Sequence, residues 1–233
     1  MPSATHRRVF LGAGFSPYKL QNIAARFDAS NLASLTYDGG FAVSQWSDLS
    51  NNARHLVQGT GAKQPVLTIG AQNYLTFDGS NDDLKTAGFT LAQPLTHYLV
   101  ARQVSFTDGD TIFDGNAGND MRFFQKTASP LTRLFAGSAE AASNTDWATG
   151  ADVVATVVFN GASSANRINK LTAATGSPGT AAPGGLTLGS YGDGTAAFAN
   201  VRVYEWIVFS AAHPTLTQDR VISYLGRKWG IAV

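Results

Sequence analysis

Residues 201–209 read Val201-Arg202-Val203-Tyr204-Glu205-Trp206-Ile207-Val208-Phe209. Most of these side chains are β-branched or aromatic and fit a pleated surface. A period of two puts Val201, Val203, Glu205, Ile207 and Phe209 on one face and Arg202, Tyr204, Trp206 and Val208 on the other. Both faces are largely apolar, so this strand is expected to be covered on two sides.

Upstream, the same spacing recurs at residues 43–46, 74–77, 95–101, 121–124 and 153–159, each closed within a few residues by Gly, Asp, Asn or Ser. Aromatic-Asp-Gly appears at Tyr37-Asp38-Gly39, Phe77-Asp78-Gly79 and Phe113-Asp114-Gly115. That spacing suits a propeller blade, but the flanks do not match; the motif reads as a way of ending a strand, with Asp bonding the next backbone groups. Residues 173–185 carry too little apolar surface for an element and read as a long exposed loop. Downstream, Thr215 as N-cap with Gln218 three residues on predicts a capping box. Val221, Ile222, Leu225 and Trp229 then share one helical face, and Gly230 suits the left-handed stop. An amphipathic helix this late must dock on the strands, with Trp229 as its anchor.

Composition agrees with a turn-rich β domain: of 233 residues, 24 are Gly and only 14% are charged, while 44% are hydrophobic, enough for one sizeable core. The formal charge of +1, from 17 basic and 16 acidic residues, lacks the basic footprint of a nucleic-acid binder. No stretch approaches the roughly 20 apolar residues of a membrane span. Without cysteine there are no disulfides, thiolate sites or cysteine nucleophiles. Arg7-Arg8 before a short apolar run resembles an export signal, but the run stops at Phe15, short of a convincing signal peptide.

The chemistry-bearing residues are sparse. Only two glutamates occur, Glu140 and Glu205, so a glycosidase pair would come mostly from the 14 aspartates. Glu205, between Tyr204 and Trp206, reads as a partly buried, hydrogen-bonded structural carboxylate. His6, His55, His97 and His213 are scattered singly, without zinc spacing, and are expected at the surface or core edge. No serine elbow or phosphate loop appears. The expectation is no catalytic residue and no metal or other cofactor.

Acidic loops are the better candidates: Asp78 to Asp83, Asp108 to Asp110, Asp114 to Asn116 and Tyr191 to Gly194. Such loops can offer oxygens to calcium, although Asp-Gly is also ordinary turn chemistry. Trp147 and Tyr191, beside polar loops, can stack on sugar rings, although a Trp at a strand start is more often a core residue. The candidate ligand-binding set is Asp82, Asp83, Trp147, Tyr191 and Asp193.

The run from Arg26-Phe27-Asp28 through Trp46-Ser47-Asp48-Leu49-Ser50-Asn51-Asn52 to Leu75-Thr76-Phe77-Asp78-Gly79, with the ending Tyr224-Leu225-Gly226-Arg227-Lys228-Trp229-Gly230, resembles laminin-G-like, concanavalin A-like jelly-roll domains of phage and prophage structural proteins and bacterial surface proteins. The resemblance covers residues 26–233. It implies an all-β, two-sheet antiparallel jelly-roll sandwich with one C-terminal α-helix, preceded by a lead-in or attachment segment over residues 1–25. The function it implies is a non-catalytic component at a virion or extracellular surface. Its lectin-like sandwich would recognise cell-surface carbohydrate, with residues 1–25 binding other virion or surface proteins. The alternatives are a decoration or oligomerisation module binding only protein, which would allow a homo-oligomer, and, least supported, a polysaccharide-cleaving enzyme.

Overall fold

The computed structural model describes residues 14–233; Arg7, Arg8 and most of the expected attachment segment lie outside that range. The first strands are β1 (Ile23–Asp28), β2 (Leu35–Tyr37), β3 (Val43–Trp46), β4 (Leu56–Val57), β5 (Val66–Thr68), β6 (Tyr74–Asp78) and β7 (Leu84–Lys85). They are followed by β8 (Leu95–Gln103), β9 (Thr111–Asp114), β10 (Arg122–Gln125), β11 (Thr132–Phe135) and β12 (Ala141–Asn144). Then come β13 (Asp152–Phe159), β14 (Ser164–Ile168), β15 (Ala174–Gly176), β16 (Thr187–Leu188), β17 (Asn200–Phe209) and the helix α1 (Thr215–Trp229).

The strands form a two-sheet antiparallel sandwich. One sheet has eight strands in the order β15-β14-β13-β8-β17-β6-β5, with β1 also paired to β17; the other has nine, β12-β11-β10-β9-β16-β7-β4-β3-β2. The buried side of Asn166 on β14 ties one edge, its amide donating to Thr132 Oγ1 at 3.0 Å and to the Ala142 carbonyl at 3.3 Å. At the other edge Ala42 bridges to Val66. Between the sheets runs a chain of aromatic contacts: Trp46 to Phe27, Phe27 to Trp206, Trp206 to Phe113, Phe113 to Phe123 and Phe123 to Trp147. Tilted pairs of this kind add to the area they bury. His97 belongs to the same core, fully buried and stacked on Phe113 at 4.7 Å. It is therefore not at the surface or core edge, and burial pushes its pKa down to about 3.

β17 is covered on both faces, but not in the alternation expected. A bulge between Val203 and Glu205, against Ala101 and Val100 of β8, shifts the register by one. Val201, Val203, Trp206 and Val208 consequently face the inter-sheet core, while Tyr204, Ile207 and Phe209 face outward under α1. There Val221, Ile222, Leu225 and Trp229 meet them, joined by Phe15, Tyr18 and Leu20 ahead of β1. Residues 15–28 thus pack with the domain, and β1 itself crosses position 25.

The helix stops as expected, with Gly230 at φ 66°. Its start differs: Pro214 is the N-cap and Thr215 the first helical residue, while the Gln218 amide reaches back to the His213 carbonyl at 2.8 Å. Pro214 fixes φ near the helix entry and displaces Thr215 from the capping position. The 173–185 stretch is also more than an exposed loop, since it contains β15 and buries Pro178 and Pro183. The Pro178 carbonyl accepts the Ala136 amide at 2.9 Å, so backbone bonds rather than side-chain bulk hold it. Among the described residues no helix is long and apolar enough to cross a membrane.

Candidate functional site on the nine-stranded sheet

The outer side of the eight-stranded sheet is occupied by α1, which directs attention to the other face. Across the nine-stranded sheet folds the connection from β16 to β17, residues 189–199. It is pinned at several points. The Gly192 amide donates to Asp114 Oδ2 at 3.3 Å, Thr187 Oγ1 donates to the Gly192 carbonyl at 3.0 Å, and Lys63 Nζ reaches the Gly194 carbonyl at 3.4 Å. A Cβ at Gly192 would stand 2.1 Å from the Gly115 carbonyl oxygen, so only glycine permits this approach.

The pinned loop presents Tyr191. Asn119 donates its side-chain amide to the Tyr191 hydroxyl at 2.8 Å. The Arg122 guanidinium on β10 lies 4.3 Å from the Phe124 ring centre and 5.5 Å from that of Tyr191. Its Nε donates to Thr111 Oγ1 at 2.7 Å and Nη2 to the Gly109 carbonyl, which holds it in place. Asp114 is buried and anchors the neighbouring turn by accepting the Asn119 amide at 2.9 Å; burial raises its pKa despite those bonds. Beside them Asp193 is exposed, and the Thr195 hydroxyl at 2.6 Å holds its pKa below the usual range.

Of the residues singled out from sequence, Tyr191 and Asp193 share this loop, and Asp83 lies against it, its Oδ2 3.0 Å from where a Cβ of Gly194 would stand. Asp83 is nonetheless only 4% exposed and accepts the Gln58 amide at 2.6 Å. Asp82 is turned inward, accepting the Asp78 amide at 2.9 Å. Burial, with repulsion from Asp78 and Asp83, pushes Asp82 up to about 6. Both aspartates hold the turn rather than face a ligand. Trp147 is removed from the set: it is fully buried, stacked on Phe123, and its indole N–H donates to the Ala151 carbonyl at 3.2 Å. Trp147 lies in the connection between β12 and β13, and its ring finishes the core.

Arg122 and Asn119 were not legible as site residues. Asn119 sits at φ 56° in a turn whose path depends on Asp114. Arg122 and Phe124, outward on one strand, are the signal that could have raised the first of them. For calcium, no three His, Asp or Glu side chains converge to hold a metal ion among the described residues, and Asp82, Asp114 and Asp193 accept protein N–H groups.

Carboxylates do meet on the opposite side of the sandwich. Lys228 Nζ lies 2.6 Å from Asp28 Oδ2 and 2.7 Å from Glu205 Oε2. Glu205 also accepts the Tyr18 hydroxyl at 2.7 Å and the Trp229 indole N–H at 2.7 Å. This cluster ties the helix to the sheet, and Glu205, at 0% exposure, is structural.

No protein-family model and no curated protein matches the chain. Solved structures do. Trypanosoma rangeli sialidase is similar with a TM-score of 0.62 at 10% identity, over 92% of this chain and 34% of the sialidase. This chain therefore spans about a third of that protein. Domain 4 of AbnA, an extracellular arabinanase from Geobacillus stearothermophilus, solved with arabinotriose, is similar with a TM-score of 0.62 at 14% identity, over 86% of this chain and 97% of that domain. A GH54 α-L-arabinofuranosidase is similar with a TM-score of 0.60 at 16% identity, over 78% of this chain and 50% of the enzyme. At these identities the likeness concerns the fold. It shows a sandwich shared with carbohydrate-related proteins, without the laminin-G or phage kinship expected from sequence. The expectation of a non-catalytic virion or surface structural protein is corrected accordingly, because the similar structures come from glycoside hydrolases.

Proposed function

We propose that this chain is a carbohydrate-binding domain of a carbohydrate-active protein, and that it binds an oligosaccharide beside Tyr191 and Arg122 instead of cleaving it. The observation that carries the reading is the pinned 189–199 loop, which holds Tyr191, Asn119, Arg122 and Asp193 together on the sheet face opposite α1. A sugar presents C–H patches that suit the negative face of an aromatic ring, and hydroxyls that both donate and accept. Tyr191 supplies a ring, Arg122 and Asn119 supply N–H groups, and Asp193 supplies acceptor oxygens. The arabinotriose held by the arabinanase domain supports the choice of ligand class.

Binding without cleavage is favoured by the carboxylates. Most glycoside hydrolases need two positioned at the scissile bond, one of them as a proton donor, with the tyrosine nucleophile of sialidases as an exception. Asp28 and Glu205, which do meet, are locked on Lys228 beneath the helix.

Calorimetric titration with arabinotriose and a panel of neutral oligosaccharides tests this. The wild type should bind at least one with a Kd on the order of 1 mM or tighter, equivalent to about 4 kcal/mol. Tyr191→Ala should weaken that binding by about tenfold, or ~1.4 kcal/mol, with little change in melting temperature. Absence of binding across the panel at about 10 mM overturns the reading.

A further inference from the structure

A second aromatic surface lies at the far edge of the nine-stranded sheet. The connection from β2 to β3, Asp38-Gly39-Gly40-Phe41-Ala42, is locked from within. Asp38 Oδ1 accepts the amides of Gly40 at 2.8 Å and Ala42 at 2.9 Å, and the Phe41 amide donates to the Asp38 carbonyl at 3.0 Å. Inside this lock Phe41 adopts φ 65°, a left-handed conformation that bulky side chains avoid.

The ring so placed does not enter the core. Phe41 is 43% exposed and Tyr37 37%, and their rings stack with centres 5.8 Å apart and planes inclined by 20°. Nearly parallel rings at that separation are offset, which leaves part of each face open. Val66, itself 45% exposed, flanks them through the Ala42 bridge. The carboxylate of the connection, Asp38, is turned into its own loop. Glycine would take φ 65° without strain, and the phenyl ring joins neither apolar cluster of the interior.

We propose that Tyr37 and Phe41 form a second carbohydrate subsite, their open ring faces stacking on the C–H faces of neutral sugar rings. The pair itself carries no charge and Asp38 is internally bonded, so the platform suits a neutral hydroxylated ligand. This subsite rests on the carbohydrate-binding reading, but not on Tyr191 as the site. β2 is five strand steps from β9, about 24 Å at ~4.8 Å per step, so one ligand spanning both sites is a polysaccharide and not a trisaccharide.

Affinity electrophoresis in gels containing arabinan, xylan or galactomannan tests the subsite with Phe41→Gly, Tyr37→Ala and Tyr191→Ala. Phe41→Gly is expected to leave the melting temperature unchanged or raised, since it relieves the left-handed strain, while weakening retardation by about tenfold. Tyr37→Ala should weaken it by about fivefold. Retardation of both variants equal to wild type, with Tyr191→Ala impaired, overturns this subsite and leaves the first site standing. Loss in the Tyr37 and Phe41 variants with Tyr191→Ala unaffected supports the subsite and removes the first. Wild-type retardation in both variants, together with a dimer that they dissociate in sedimentation, overturns it in favour of a protein interface. No retardation of the wild type in any gel overturns both.

Discussion

Under α1, the outer side of the eight-stranded sheet hides Glu205 at 0% exposure, whereas the outer side of the nine-stranded sheet leaves Tyr191, Arg122 and Asp193 partly or wholly in solvent. Charge serves different ends on the two faces. On the covered face, burial and the nearby Asp28 raise Glu205, while Lys228 opposes both. Burial pushes Asp28 upward as well, yet Lys228 and Ser30 outweigh it and its pKa ends below the usual range. Taking one partner from such a cluster strands a charge in low dielectric, which costs far more than the pair contributes. On the open face, Arg122 and Asp193 keep contact with water, which the proposed ligand would replace.

The largest expected effect therefore lies under the helix. Trp229→Ala removes a buried ring and the indole N–H bonded to Glu205, and should destabilise by about 3–5 kcal/mol. For a chain of this size that lowers the melting temperature by roughly 10 °C in scanning calorimetry. An unchanged transition would break the contrast between the faces.

A smaller effect belongs to Asp82, beside the loop that crosses the open face. Its folded pKa of about 6 exceeds the ordinary 3.8, so the folded chain keeps a proton that the unfolded chain has released between those values. Its contribution to stability is present below about pH 4 and lost as the pH rises through 6. Asp82→Asn keeps an acceptor for the Asp78 amide and should raise stability at pH 7 by on the order of 2 kcal/mol, with no gain at pH 3.5. Denaturant unfolding at the two pH values measures the difference, and an equal effect at both contradicts the burial of this carboxylate.

The covered face was the more legible of the two. Strand positions, the helix face and Gly230 all follow from local periodicity, and Glu205 between two aromatics already suggested a structural carboxylate, though only a partly buried one. What could not be read is the bulge at Tyr204, which moves Trp206 from the outer face to the core. A bulge depends on pairing with a distant strand, and residue order alone does not encode that pairing. The open face was legible only in fragments. Tyr191 and Asp193 stand out because they share one short loop, while Arg122 and Asn119, some 70 positions earlier, join them through long-range bonds. Trp147 left both a sugar-stacking and a core role in view, and its full burial against Phe123 decides for the core.

The assignment of binding to the open face is tested most directly by amide chemical-shift mapping on the labelled protein during titration with arabinotriose and the neutral oligosaccharide panel. Shifts concentrated at Asn119, Arg122, Tyr191 and Asp193, with the amides of residues 215–229 unmoved, are the predicted result. Shifts centred on α1, or none at saturating ligand, would contradict it.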